Sequence, residues 1–169
     1  MATDWTDFQA AEPGFAETVR TRFQQHKHHV LATVRRDGSP RTSGSEVEFR
    51  FGGMWLGMMP DSRKALDLRR DPRFAVMANP GPDTSMGGGD VRVGGRAVEV
   101  TDPEVKVRFT EEVEVPPGPF HLFRADLTEV VRTFVDGEEL VVQVWRPGAP
   151  LRTLRRANDD SPPREDPRP

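Results

Sequence analysis

Apolar residues recur every fourth position near the start of the chain, and the pattern then changes to alternation. Phe15, Val19 and Phe23 have the spacing of one helix face, which predicts an amphipathic helix over residues 14–28. From residue 30 onward, apolar and polar residues alternate and glycine-containing turns become frequent. This change of period predicts one helix followed by a β-meander.

Turn signals divide the rest of the chain into six or seven predicted strands. The clearest turns are Asp37-Gly38, Gly52-Gly53 and Asp136-Gly137. Short helices are predicted over 62–71 and 102–113. Within residues 90–101 the alternation is offset across Gly94-Gly95, which predicts a β-bulge that lets the strand curl. The fold class predicted is mainly β with short peripheral helices, a six- to seven-stranded antiparallel barrel.

The chain divides into one predicted domain and a tail. Residues 1–150 contain all the predicted strands, and 169 residues suffice for a single core. Residues 151–169 are rich in proline and charge and lack apolar periodicity, so about the last fifteen residues are predicted to be disordered.

Composition narrows the classes of function. There is no cysteine, which excludes disulfides, thiol catalysis and thiolate metal sites, and no tyrosine. A net charge of −3 gives no electrostatic footprint for nucleic acid or a membrane surface. The acidic N-terminus lacks an apolar signal core, so we expect a cytoplasmic protein.

The histidines are candidate metal ligands. His28 and His29 are neighbours in the sequence HKHH and diverge, so no metal site is predicted there. His121 follows a proline-rich loop and faces either solvent or a cofactor edge.

The sequence Ser62-Arg63-Lys64 places two cations at a predicted helix start, where the helix dipole repels positive charge. Helix amides, a hydroxyl and two cations together suit a phosphate group, because the amides and the dipole favour an anion. The alternative is a solvated Arg-Lys pair that tolerates a small repulsion.

Three other segments have two interpretations each. Residues 42–45, TSGS, are small and polar within a strand, which suits either a ligand close to the backbone or a water-exposed edge. Met58 and Met59 are typical of core packing and could also support a flat ring. Trp145 ends a hairpin and is typical of a core or interface anchor.

Several motifs, taken in order, carry a resemblance to a known family. They are the strand LATV-x-x-DG-x-P at 31–40, a polar strand, an apolar strand, Ser-Arg-Lys at a helix start, and Leu-x-x-Asp-Pro-Arg at 68–73. Residues 25–150 thereby resemble the pyridoxamine 5′-phosphate oxidase-like proteins, which are flavin-binding split β-barrels.

The resemblance implies a homodimer that holds FMN, or a deazaflavin coenzyme in one branch, between its subunits. It implies a phosphate on Ser62, Arg63 and Lys64. It further implies a ribityl and ring region along Arg41, Thr42 and Ser43, and an isoalloxazine ring over Gly57, Met58 and Met59. Trp145 and Arg146 match the positions that the family contributes from the partner subunit, and Arg152 matches less directly.

The implied function is that of an FMN-dependent oxidoreductase, transferring hydride or electrons to or from a small organic substrate. The alternatives are a deazaflavin-dependent reductase and a non-catalytic protein that binds or stores flavin or haem. No side chain is identified as a general acid. The chain lacks the flavin-side tyrosine and the C-terminal basic and histidine residues of the authentic oxidases, so pyridoxamine phosphate is not the expected substrate.

Overall fold

A computed structural model describes residues 2–167 of the chain. Within these residues there are four helices: α1 (Trp5–Ala11), α2 (Pro13–Gln24), α3 (Arg63–Arg70) and α4 (Pro103–Glu112). The strands are β1 (His29–Val34), β2 (Pro40–Ser45), β3 (Glu48–Arg50), β4 (Gly53–Met58), β5 (Arg73–Met77), β6 (Asp90–Glu99), β7 (His121–Asp136), β8 (Glu139–Trp145), β9 (Arg152–Arg156) and β10 (Arg164–Glu165).

One antiparallel sheet contains every strand, in the order β10-β9-β8-β7-β6-β5-β1-β2, with β4 joining β3 to β7. The 16-residue strand β7 holds the sheet together, because its first residues pair with β4 while residues 130–136 pair with β8. The predicted mainly β, antiparallel class is confirmed. The strand count exceeds six or seven because residues 40–50 form two strands, β2 and β3, and because β9 and β10 lie in the segment predicted to be disordered.

The predicted bulge in β6 is confirmed. The register against β7 shifts between Gly94 and Gly95. A Cβ atom at Gly95 would lie 2.2 Å from the backbone oxygen of Asp126, so the two strands approach too closely there for any side chain.

Helices α1 and α2 close one end of the barrel. Helix α2 ends at Gln24, four residues before the predicted end. Helix α1 was not predicted, because a seven-residue helix with two buried residues, Trp5 and Phe8, is too short to show a period. Phe8 packs against Trp145 with ring centroids 4.5 Å apart, so α1 covers the end of β8.

The C-terminal segment differs from the predicted disorder. Strand β9 pairs with β8, and β10 pairs with β9. Ion pairs hold both, including Arg152 to Glu165 at 2.9 Å and Arg155 to Asp166 at 2.9 Å. Strand pairing and ion pairs between charged side chains therefore order this segment, although it lacks apolar periodicity. Residues 168 and 169 of the predicted tail lie outside the described residues.

The outer face of the sheet, the side that points away from the core, is rich in small and apolar residues. On β1 the inner residues Leu31 and Thr33 are buried, while Val30 on the outer face is 47% exposed. Strand pairing places the following residues on this outer face: Val30, Ala32, Thr42, Gly44, Ala75, Met77, Gly94, Val131 and Val144. Strands with apolar residues on both faces are typical of sheets covered on both sides.

Among residues 2–167, no helix combines the length and the apolar character that crossing a membrane requires.

Candidate functional site

Helix α3 begins without a side-chain cap. Ser62 occupies the N-cap position, but its hydroxyl makes no capping hydrogen bond. The first bond within the helix is donated by the Leu66 amide to the Ser62 carbonyl, at 3.0 Å. The amides of residues 63–65 precede this bond and have no acceptor within the helix. The Ser62 Oγ is buried and has no hydrogen-bond partner among the described residues.

Strand β2 lies directly against this helix start. The Lys64 Nζ donates to the Gly44 carbonyl at 2.5 Å. Burial lowers the pKa of the Lys64 ammonium, and attraction to the Glu46 carboxylate opposes this shift. The Ser43 Oγ is also buried, and no partner for it lies within residues 2–167. One unpartnered hydroxyl therefore lies at the N-cap of α3, and the other lies on β2 next to Gly44, the residue whose carbonyl binds the Lys64 ammonium.

A buried carboxylate organises the other side of α3. Asp67, whose side chain is 5% exposed, accepts hydrogen bonds from Thr33 Oγ1 at 2.9 Å, Arg41 Nε at 2.7 Å and Arg70 Nη2 at 3.1 Å. Burial acts to raise the pKa of Asp67, but hydrogen bonds from Arg41, Thr33 and Arg70 outweigh it and hold the pKa below its ordinary value. Asp67 thereby ties the helix to β1 and β2.

The sequence did not identify Asp67 as part of the site. Its only signal was a lone acid within an otherwise basic helix, RKALDLRR. Its partner Arg41, predicted to line the ring region, is bound to this carboxylate.

An open, basic groove runs along α3. We call it the α3 groove; it has a volume of about 580 Å³ and is lined by Arg35, Arg36, Asp37, Arg41, Arg63, Leu66, Asp67 and Arg70. Five arginines face two aspartates in this groove. Arg63 is exposed, and no ion pair or hydrogen bond engages its guanidinium within the described part of the chain.

The end of β4 leads into α3 through a turn. Gly57 leaves open space where a Cβ atom would be. Met58 is buried in the core, while Met59 is 76% exposed. Asp61 adopts a left-handed conformation, with φ of 50°, immediately before Ser62.

The structure brings together some of the predicted site residues and separates others. Arg41, Ser43, Ser62, Arg63 and Lys64 meet around α3. Thr42 lies on the outer face of β2, paired with Ala32.

Trp145 and Arg146 lie elsewhere in the chain. Trp145 is 2% exposed and faces the core. Arg146 pairs with Glu129 at 2.6 Å, and Arg92 contacts the same carboxylate at 2.6 Å. These three residues line a depression of about 400 Å³ on the outer face that shares no residue with the α3 groove. Within a single chain, Arg146 therefore does not reach the start of α3.

The His121 side chain is 14% exposed, and both of its ring nitrogens have partners. Its Nδ1 lies 2.8 Å from Glu99 Oε1, and its Nε2 lies 3.2 Å from the Asp61 amide. Among residues 2–167, no three histidine, aspartate or glutamate side chains converge as a metal site would require.

The single antiparallel sheet, with one long strand shared between two halves and helices at the ends, defines a split β-barrel. The family model for pyridoxamine 5′-phosphate oxidase matches residues 15–134. The chain belongs to this family, which confirms the resemblance found in the sequence. No curated protein sequence matches the chain significantly.

Solved structures share the fold at low sequence identity. A pyridoxamine 5′-phosphate oxidase-related, FMN-binding protein from Nostoc punctiforme has a TM-score of 0.63 and 14% identity, covering 91% of this chain and 94% of that chain. PhzG from Burkholderia lata, in complex with tetrahydrophenazine-1-carboxylic acid, has a TM-score of 0.54 and 16% identity, covering 94% and 90%. A haem-binding protein from Mycobacterium smegmatis has a TM-score of 0.59 and 16% identity, covering 76% and 57%.

Proposed function

We propose that this protein binds FMN with its phosphate at the start of α3 and acts as an oxidoreductase on a small organic substrate. The observation that carries the proposal is the pair of buried, unpartnered hydroxyls of Ser43 and Ser62 beside Lys64. A buried polar group without a partner is costly, so such a pair indicates a ligand that accepts hydrogen bonds.

The charges at this position favour a phosphate. The uncapped amides of α3 and its dipole attract an anion, and Lys64 and Arg63 supply two positive charges. A phosphate would offer Lys64 a stronger acceptor than the Gly44 carbonyl it now contacts. It would also remove the repulsion between the cations and the helix end.

The residues present fit the rest of a flavin. Gly57 leaves space beside the turn, and exposed Met59 offers an apolar, polarisable surface to a flat ring. The flavin, when bound, supplies hydride and electron transfer. The chain's own residues anchor the phosphate and orient the ring. The FMN-binding relative from Nostoc punctiforme supports this choice of cofactor.

We propose a homodimer formed through the outer face of the sheet. That face presents Ala32, Ala75 and Gly94 side by side, so a second sheet can approach closely. Beside them lie apolar Val30 and Met77 and the ion-paired Arg92 and Glu129. Arg146 lies at the edge of this face and is 60% exposed. A dimer would allow Arg146, which directly follows β8, to complete the partner's cofactor site, which one chain alone does not assemble.

Placing a charge in the middle of this face is expected to separate the subunits. Ala75→Lys should shift the mass in solution from twice 19.0 kDa to the chain mass of 19.0 kDa, because a long, charged side chain at this position would keep a second sheet from approaching and would have to be desolvated in the interface. Light scattering measures the change. Val107→Lys, on the exposed side of α4, is the matched control and should remain dimeric. A dimeric Ala75→Lys variant would contradict the proposed interface.

A deazaflavin coenzyme with an acidic tail is the second candidate. The observation that favours it is the α3 groove, whose five arginines exceed what one phosphate needs. Haem receives less support from the site, because both ring nitrogens of His121 already have partners.

An absorbance spectrum of the freshly purified protein tests the proposed function. We expect flavin bands, or their appearance when FMN is added to a colourless preparation, and bleaching when NAD(P)H follows. Mass spectrometry of the released compound identifies the cofactor. Tighter binding of the tailed deazaflavin than of FMN would favour the second candidate, and colour without bleaching would favour a storage protein. Failure to bind either compound on titration would exclude both.

A further inference from the structure

We propose that His121 is a positioning residue, which holds the turn before α3 in the conformation that presents its amides to a phosphate. The proposal rests on the proposed function, because it assigns a role at the same site. It concerns a histidine that no contact places on the cofactor itself.

A chain of hydrogen bonds connects both ends of α3 to the barrel wall through one carboxylate. Arg69, in the last turn of α3, contacts Glu99 at the end of β6 through Nε at 2.7 Å and Nη2 at 2.8 Å. Glu99 also contacts His121 Nδ1 at 2.8 Å. The Asp61 amide, next to the N-cap of α3, donates to His121 Nε2 at 3.2 Å. Glu99 and His121 therefore bridge the start and the end of the helix.

The hydrogen-bond partners of the imidazole indicate which of its two nitrogens is the acceptor. A backbone N–H can only donate, so Nε2 must carry the lone pair that accepts from Asp61. The ring proton is then on Nδ1, where it is donated to the Glu99 carboxylate. Glu99 fixes the tautomer and the ring orientation, in the way that a carboxylate orients a ligating histidine.

His121 Nε2 accepts its hydrogen bond from a residue in an unusual backbone conformation. Asp61 has a φ of 50°, a left-handed conformation that is uncommon for residues other than glycine. The residues that follow it are Ser62, whose hydroxyl has no partner, and the free amides of α3. Losing the bond to His121 would allow the turn to relax and would misdirect these donors.

Two substitutions separate the positioning role from a general structural one. In His121→Gln, the amide oxygen can reach the place of Nε2 and accept from Asp61. In His121→Asn, the shorter side chain can reach Glu99 and leaves the Asp61 amide without an acceptor. The dissociation constant for FMN is measured by titration, and the exchange rate of the Asp61 amide hydrogen is measured by NMR.

We expect the Gln variant to bind FMN within threefold of the unmodified protein. We expect the Asn variant to bind at least fivefold more weakly, with at least tenfold faster exchange at Asp61 and a similar thermal midpoint. If the Asn variant does not fold, His121→Phe keeps the ring volume without the acceptor and should show the same loss. Equal FMN affinity and unchanged Asp61 exchange in the variants lacking the acceptor would overturn the proposal.

The outcome is distinguishable from failure of the proposed function. If Arg63→Ala with Lys64→Ala weakens FMN binding while the Asn and Phe variants do not, only the role of His121 fails. If the unmodified protein binds neither FMN nor the deazaflavin, the proposed function fails and the positioning role fails with it.

Discussion

Replacing Arg63 and Lys64 together by alanine is expected to weaken FMN binding by more than tenfold. Each charged contact to a phosphate contributes about 1.5–3 kcal/mol, and tenfold corresponds to about 1.4 kcal/mol, so the loss of both exceeds this threshold. The double variant should fold, because Arg63 is exposed and, among residues 2–167, the single hydrogen bond of the Lys64 ammonium goes to the Gly44 carbonyl. Isothermal titration with FMN measures the dissociation constant.

A second double variant controls for the change in net charge. Arg96 and Arg156 are exposed and lie outside the α3 groove, so Arg96→Ala with Arg156→Ala removes the same charge away from the site. It should bind FMN with nearly unchanged affinity. Equal affinity of both double variants for FMN would show that the phosphate does not bind at the start of α3. Equal loss in both would show that only the overall field of the protein matters.

Two arginines in the turn between β1 and β2 distinguish FMN from the deazaflavin as the cofactor. Arg35 and Arg36 are exposed and line the α3 groove beyond the helix start. A single phosphate at Ser62 has no need of them, whereas an acidic tail running along the groove does. The proposal of FMN therefore places the functional cations at 63 and 64, and the proposal of the deazaflavin extends them to 35 and 36.

The sequence predicted the part of the site that is formed by residues consecutive in the chain. Ser62, Arg63 and Lys64 are consecutive and begin one helix, so their proximity follows from the sequence alone. The sequence gives no comparable signal for Asp67, because its buried state depends on Thr33 and Arg41, which are 34 and 26 residues away. Long-range partners decide which charged residue of a basic helix is buried.

The same distinction applies to the fold. Turns at Gly38 and Gly137 were predictable because they need a positive φ, and both glycines adopt one. The pairing of β7 with both β4 and β8 was not predictable, because β4 precedes β7 in the sequence and β8 follows it. Trp145 faces Phe8 of a helix 137 positions earlier, so its burial within one chain could not be read from the hairpin alone.

Replacing Asp67 by alanine is expected to lower the free energy of unfolding by about 3 kcal/mol at pH 7, the lower end of the cost of breaking a buried ion pair. The lower end applies because Arg41 and Arg70 keep 25% and 35% of their side chains exposed and can regain water. Asp67→Asn should cost less, since it keeps an acceptor for Thr33. Urea unfolding measures both variants. Asp160→Ala, which removes an exposed aspartate that has no hydrogen bond or ion pair among residues 2–167, is the matched control and should unfold like the unmodified protein.

The effect of Asp67 should depend on pH in a direction that its hydrogen bonds determine. Its pKa in the folded protein lies below the ordinary aspartate value of about 3.9, so the unfolded chain binds the proton more readily. The stability that the ionised carboxylate contributes is therefore complete above the ordinary value and is lost as the pH falls through the lower, folded value. The difference in unfolding free energy between the unmodified protein and Asp67→Asn should be constant from pH 7 to about pH 5 and shrink below about pH 4. A difference that grows as the pH falls would mean that Asp67 is protonated in the folded protein, and Arg41 and Arg70 would then have no anion to hold them against α3.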